Sequence, residues 1–221
     1  MKAMILAAGR GERMRPLTDT TPKPLLEVRG KPVAVWTIEA LVRAGIHELV
    51  INHAHLGAKI EHTLGDGGAF GASIRYSREG EALETAGGIA NALPLLGTEP
   101  FIAVNGDVYC DFDFSRLVRH SLRDYSAHLV LVRNPEHNPA GDFALRGGEL
   151  GHEGEPKHTF SGIALYRPEL FGSIERGTKA KLAPVLRAAM QRGLVSGELH
   201  AGAWHDVGTP QRLAALNSTA A

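Results

Sequence analysis

Leu6-Ala7-Ala8-Gly9-Arg10-Gly11-Glu12-Arg13-Met14, running on to Thr21-Pro22-Lys23-Pro24-Leu25, is the stretch on which the reading of this chain turns. The apolar run Met4-Ile5-Leu6-Ala7-Ala8 that leads into it has the length of a buried strand. A glycine-rich loop straight after a first strand leaves backbone N–H groups free to approach phosphate oxygens. Gly9 and Gly11 begin as a dinucleotide fingerprint does, but Met14 stands where its third glycine would fall. No acidic residue closes a second strand at the usual distance, so a Rossmann dehydrogenase fits poorly. The P-loop pattern fails as well, because no Gly-Lys-Ser/Thr occurs. What remains is a long loop carrying Arg13, a forked donor for phosphate oxygens, and Lys23, a mobile point charge. Both belong over the carboxyl end of strand one, where open α/β sheets bind ligands. A solvated surface loop is the plain alternative for a lone Gly-x-Gly. The prolines on either side of Lys23 argue against it, since they stiffen the loop around the cation.

Outward from that loop, short apolar runs alternate with helical patterns. Strands are expected at 49–51, 73–77 and 101–104, and helices at 33–44, 56–64 and 85–96. This rhythm predicts a parallel sheet covered on both faces. Beyond Asp107 the texture changes. Expected there are a helix at 114–123, a strand at 128–132, a turn-rich loop at 134–139, and strand pieces at 143–145 and 160–166. Residues 146–158 read as an exposed flap, 182–191 as a helix, and a last helix starts at Pro210. The expected fold is α/β: a single-domain, Rossmann-like, doubly wound mixed sheet over residues 1–221.

Composition limits the partners. The 221 residues carry 24 Lys+Arg against 24 Asp+Glu, a net charge of zero. That balance excludes bulk phosphate neutralisation, so no nucleic-acid partner is expected. A single cysteine, Cys110, excludes a disulfide framework and a Cys-rich zinc site. No apolar run approaches the ~20 residues that span a bilayer, and the N-terminus lacks a signal-peptide core. A cytoplasmic protein without a membrane partner is the expectation. Oligomeric state is not legible.

Two aspartates stand out. Asp107 follows the apolar run Phe101-Ile102-Ala103-Val104 and the turn Asn105-Gly106, so its carboxylate belongs in the crevice of the glycine loop. Asp206 comes about a hundred residues later, past another strand-like run. Magnesium takes hard oxygen ligands, commonly one or two carboxylates with phosphates and water, and this pair suits it. A turn role for Asp107 and a helix cap at Asp206 are the bland alternatives, though Thr209 before Pro210 is the better cap. Asp111-Phe112-Asp113 has the Asp-x-Asp spacing of glycosyltransferases, but it opens a helix and reads as capping chemistry. His53 and His55 lie two apart with no evident partner carboxylate and read as surface or packing histidines.

The opening stretch, with Gly30-Lys31-Pro32, Glu84-Thr85-Ala86-Gly87-Gly88, Asn105-Gly106-Asp107 and Trp204-His205-Asp206-Val207-Gly208-Thr209, resembles the sugar-1-phosphate nucleotidylyltransferases nearly end to end. The resemblance implies a nucleotide-binding half over about 1–110, a sugar-binding half over about 111–221, and the fold that family shares with GT-A glycosyltransferases. It implies a nucleoside triphosphate and a sugar 1-phosphate as substrates, with Mg2+ on Asp107 and Asp206. Arg13, Lys23 and Asp107 become the catalytic group. Leu6, Ala8, Gly9, Gly11, Glu12, Glu79 and Glu84 join Arg13 and Lys23 around the nucleotide, Glu79 or Glu81 being placed to accept from a base imino N–H. Asn105, Asp142 and Lys181 are implied on the sugar-phosphate side. Relatives carry Glu-Lys-Pro before the Phe-Ser-Gly strand where this chain has Glu155-Pro156-Lys157, so Lys157 or Lys181 stands in for the usual lysine. Val50-Ile51-Asn52-His53-Ala54, Leu83-Glu84-Thr85 and Lys181-Leu182-Ala183-Pro184 resemble most the branch that uridylylates N-acetylmuramate α-1-phosphate. Mannose-1-phosphate guanylylation and glucose-1-phosphate uridylylation or thymidylylation are the alternatives within the family. A GT-A glycosyltransferase and a non-catalytic nucleotide-sugar sensor are the alternatives outside it.

Overall fold

The structure is a computed structural model and describes residues 1–218. In chain order the elements are β1 (Lys2–Leu6), α1 (Leu17–Thr20), β2 (Glu27–Val28), β3 (Lys31–Pro32), α2 (Val33–Arg43), β4 (Glu48–His53), α3 (Gly57–Leu64) and β5 (Ser73–Arg78). There follow α4 (Glu84–Leu96), β6 (Phe101–Asn105), β7 (Val108–Cys110), α5 (Ser115–Arg119), β8 (Ala127–Val132), β9 (Phe143–Arg146) and β10 (Glu149–Gly151). The remainder are β11 (Lys157–Tyr166), α6 (Leu182–Gln191), β12 (Val195–His200), β13 (Trp204–Asp206) and α7 (Pro210–Ser218).

A nine-stranded mixed sheet forms the centre, in the order β5-β4-β1-β6-β11-β8-β12-β10-β9. The first four strands are parallel. β11 is antiparallel to both β6 and β8, and β12 returns parallel to β8. Side chains alternate across a strand, so each strand feeds two cores. Ala3, Ile5, Ile102 and Val104 point to one face with Val35, Ile38 and Leu41 of α2 and Ile60 of α3. Met4, Phe101 and Ala103 point to the other, with Ile89 of α4 and Leu186 of α6. Burial on both faces explains why these strands read as unbroken apolar runs.

The connections place the crevice. α2 and α3 cover one face on the way from β1 through β4 to β5; α4 then crosses the other face to β6 on the opposite side of β1. Winding therefore reverses between β1 and β6, and ligands bind beyond the carboxyl ends at such a switch point. The loops after those two strands are Ala7 to Gly11 and Gly106-Asp107. A third, small core of Met14, Leu26, Val28, Val33, Val207 and Leu216 ties the glycine loop, the β2–β3 hairpin and α7 together.

Two expectations are corrected, and one strand was not expected. The helix placed at 114–123 runs only over Ser115–Arg119, because the chain turns at His120, whose ring stacks 3.8 Å from that of His128. The stretch 146–158 is not a free flap: β9 and β10 form a hairpin, with β10 paired to β12 and β9 paired to β11. Gly147 and Gly148, at φ 59° and 88°, supply the two left-handed residues that such a tight turn requires. β12, not expected from sequence, lies between β8 and β10 inside the sheet.

Candidate active site

A cavity of about 370 Å³ opens at the switch point. Its walls come from the ends of β1 and β6 and from the start of α4. Leu6, Ala8, Gly9, Gly11, Lys23, Glu84 and Asp107, all expected there, line it together with Asn105, which was expected on the sugar-phosphate side. Thr85 lines it too, as do Asn52 and Ala82, for which the sequence carries no expectation. At its floor, the Lys23 ammonium donates to Asp107 Oδ2. Both side chains are largely shielded, at 15% and 23% exposure, where a charge pair is worth more than at a surface.

A relay of hydrogen bonds shapes the wall. Ala7 N donates to Asn52 Oδ1 (2.9 Å), Asn52 Nδ2 donates to Glu79 Oε1 (2.7 Å), and Leu83 N donates to Glu79 Oε2 (2.9 Å). Glu79 is buried, with both carboxylate oxygens engaged, and it is absent from the cavity lining. It joins the glycine loop to the start of α4, which differs from the expected base contact. Gly88 makes this possible, because a Cβ there would lie 2.7 Å from Glu79 Oε1 and 2.8 Å from Asn52 Nδ2. The second glycine of Thr85-Ala86-Gly87-Gly88 is therefore required by close approach.

Arg13 and Glu12 sit on the rim, outside the lining. Glu12 pairs with Arg10 (2.7 Å) and Arg15 (3.5 Å), and Arg15 also pairs with Asp19. Arg13 has no hydrogen-bond or ion-pair partner among the described residues, so its guanidinium is free to turn to a ligand. Glu81 is also at the surface, paired with Lys179 at 2.9 Å, which with its charge holds the carboxyl below its usual range.

Asp206 reaches Asp107 through the backbone. β13 pairs with β7, Asp206 opposite Val108, and Val207 N donates to Asp107 O at 2.8 Å. Arg212 of α7 donates to Asp206 Oδ1, and His137 Nε2 lies 3.3 Å from the same oxygen. Thr209 Oγ1 accepts from Arg212 N, so Thr209 caps α7 and leaves the Asp206 carboxylate for other partners. Among the described residues no group of three or more His, Cys, Asp or Glu could hold a metal. Two hard carboxylates, Asp107 in the turn before β7 and Asp206 at the end of the paired β13, suit an ion that completes its shell with phosphates and water. They fit Mg2+ and do not fit a structural zinc.

A second cavity, of about 540 Å³, adjoins the first and shares Thr85 and Asn105 with it. Asp142 lines it, along with Lys157, His152 and Arg187. Lys181 precedes α6 outside the lining, so of the two candidate lysines only Lys157 borders this cavity. Asp142 Oδ2 accepts from Phe160 N at 2.8 Å, fixing the chain where β11 bulges.

The remaining candidates fall into structural roles. Asp113 accepts from Ser115 N and Ser115 Oγ, as a helix-start residue does, and Asp111 bonds His200 at 2.8 Å. His53 is buried and does have a carboxylate partner, Glu61 on α3 at 2.7 Å. Hydrogen bonds from Arg78 foremost, with help from His53, hold Glu61 down to about 2. Burial pushes the Cys110 thiol up to about 11, so it supplies no thiolate at neutral pH.

Comparison with known proteins agrees with this geometry. The family described as Nucleotidyl transferase matches over residues 2–144. A Neisseria meningitidis serogroup B protein named N-acetylmuramate alpha-1-phosphate uridylyltransferase is 59% identical over 220 residues, covering 96% of this chain and 95% of that protein. Mannose-1-phosphate guanylyltransferase catalytic subunit beta of Xenopus tropicalis is 30% identical over 223 residues. There the alignment covers 96% of this chain but 62% of the longer relative. The solved structure of HddC from Yersinia pseudotuberculosis with GMP-PN superposes at a TM-score of 0.79 and 20% identity, covering 98% and 97% of the two chains. That likeness shows the fold, and the sequence relationships show the kinship. The chain belongs to the nucleotidyl transferase family and is a nucleotidyltransferase.

Proposed function

We propose that this enzyme transfers a uridylyl group from UTP to N-acetylmuramate α-1-phosphate, with Mg2+, giving a UDP-sugar and pyrophosphate in the cytoplasm. The observation that carries the reading is the meeting of two cavities at Asn105 and Thr85, beside the Lys23–Asp107 pair. The name of the Neisseria relative supports the choice of substrates.

The triphosphate takes the cavity at the switch point. Backbone N–H groups of the Gly9–Gly11 loop donate to its phosphates, and Arg13 swings in from the rim as a forked donor. The sugar 1-phosphate takes the second cavity, which Lys157 borders, with its phosphate at the junction, where the Asn105 amide orients it. An anomeric phosphate oxygen then forms a bond to the α-phosphorus in line, while the bond to the bridging oxygen of the departing pyrophosphate breaks. The attacking phosphate is already an anion at neutral pH, so no protein nucleophile or base is needed. Lys23 faces the reacting phosphates, where its charge offsets what builds up in the transition state. Catalysis by these residues is alignment and charge neutralisation. Asp107 and Asp206 would hold Mg2+, which when bound supplies further neutralisation of phosphate charge.

Pyrophosphate release measured for four nucleoside triphosphates against N-acetylmuramate, mannose and glucose 1-phosphates tests the assignment. The expected outcome is release with UTP and the muramyl substrate. Release with GTP and mannose 1-phosphate instead reassigns the enzyme to the other branch, and release with no pair removes the catalytic reading.

A further inference from the structure

Arg187 has no hydrogen-bond or ion-pair partner among the described residues to explain it. It lies on α6, where Leu182, Ala183, Leu186 and Arg187 all line the second cavity. Their spacing, i, i+1, i+4 and i+5, is one helix face, so this face of α6 is a wall of the cavity. The start of that wall lies at the junction between the cavities. Ala86 N and Gly87 N donate to Ala180 O, and Ala180 N donates to Leu83 O, which anchors the α6 entry beside Thr85. Arg187 comes five residues after Leu182, and a helix rises about 1.5 Å per residue, so Arg187 lies roughly 7 Å further along the wall. It sits away from the reacting phosphates, toward β10, against which α6 packs. His152, just past β10, borders the same cavity. Arg187 is exposed and makes no hydrogen bond or ion pair among the described residues.

The charges of a plain hexose 1-phosphate do not need this residue. Its one anionic group belongs at the junction, with Asn105. A guanidinium at the far end of the cavity answers a second anion carried by the sugar itself, and its planar fork matches a carboxylate. We propose that Arg187 is the specificity residue of this enzyme and recognises a carboxylate borne on the sugar ring by the acceptor 1-phosphate. For the substrate proposed above, that group is the lactyl carboxylate; the inference rests on that reading.

The test compares N-acetylmuramate α-1-phosphate with N-acetylglucosamine α-1-phosphate, which is the same sugar without the lactyl group. Arg187→Gln should lower kcat/KM for the muramyl substrate roughly 10- to 100-fold, the loss expected for a charged hydrogen-bonded pair. The loss should fall in KM, activity with the glucosamine substrate should stay within about twofold, and Arg187→Lys should recover part of the preference. Equal losses on both substrates, or an unchanged preference in Arg187→Gln, would overturn the inference while leaving the uridylyltransferase reading intact. A wild-type enzyme with no preference for the muramyl substrate would remove both.

Discussion

At the scale of single residues, the site is a set of charges held in place by ion pairs and by a hydrogen-bonded relay. Lys23 and Asp107 form its shielded pair. Lys23→Ala and Asp107→Asn are each expected to cut turnover about 100-fold or more, the usual cost of losing a preorganised charge at the reacting centre. Circular dichroism and melting temperature should stay near wild type, which separates loss of chemistry from loss of fold. Gly88→Ala belongs to a different class. Its Cβ would press on the Glu79 carboxylate and the Asn52 amide, at a cost of about 1–3 kcal/mol in urea unfolding. Weaker nucleotide binding should follow, because the same relay fixes Ala7. What the sequence made legible at this scale was whatever is local: Gly9, Gly11, Lys23, Asn105 and Asp107 all line the expected cavity. Glu79 was read as a base contact because a glutamate beside a ligand segment looks available. Only the fold shows that Asn52 and Leu83 have already claimed its oxygens. Arg187 is hidden for the opposite reason, since it joins Lys157 at one cavity only when α6 and β11 are brought together.

Among the elements, the strands and helices of the first half could be read closely because they are buried on both faces and separated by glycine or proline. β12 was missed since Gly197 and Glu198 interrupt its apolar pattern and its identity rests on distant partners, β8 and β10. The shortened α5 has a related cause. Its pattern continues to Leu122, but His120 leaves the helix to stack on His128, with Glu198 and Arg116 paired beside them. Burial foremost, then the neighbouring His128, lowers the pKa of His120 from 6.5. The unfolded chain therefore binds the proton more readily, and this group's share of stability is present above pH 6.5 and lost as pH falls below it. Urea midpoints should drop between pH 7 and pH 5.5, and His120→Gln should flatten part of that slope; identical slopes would exclude the cluster as the source. α7 gives a second prediction. Leu216 is buried in the small third core, and Asn217 bonds Arg29 N and Glu27 O of the β2–β3 hairpin. Leu216→Ala should cost about 2–5 kcal/mol in urea unfolding, typical of a buried large-to-small change. Because α7 also carries Arg212 to Asp206, the same variant should raise the Mg2+ concentration needed for half-maximal rate in the assay.

Across the whole molecule, zero net charge and substrates that are both polyanions are reconciled by position. Many surface cations are paired off at short range, as Arg78 is with Glu61 and Lys179 with Glu81. Arg13 on the glycine loop and Arg187 on the wall of the second cavity have no such partner among the described residues, and there local field outweighs overall charge. No helix among the described residues is long and apolar enough to cross a membrane. Metal-dependent nucleotidyl transfer at the β1/β6 switch point is the central proposal. It is tested most directly by following pyrophosphate from UTP and N-acetylmuramate α-1-phosphate as Mg2+ is titrated into metal-stripped enzyme. The account predicts no release without the metal, a saturable rise with it, and one UDP-sugar formed for each pyrophosphate. Release that is already complete in EDTA, or pyrophosphate without a matching UDP-sugar, would contradict it.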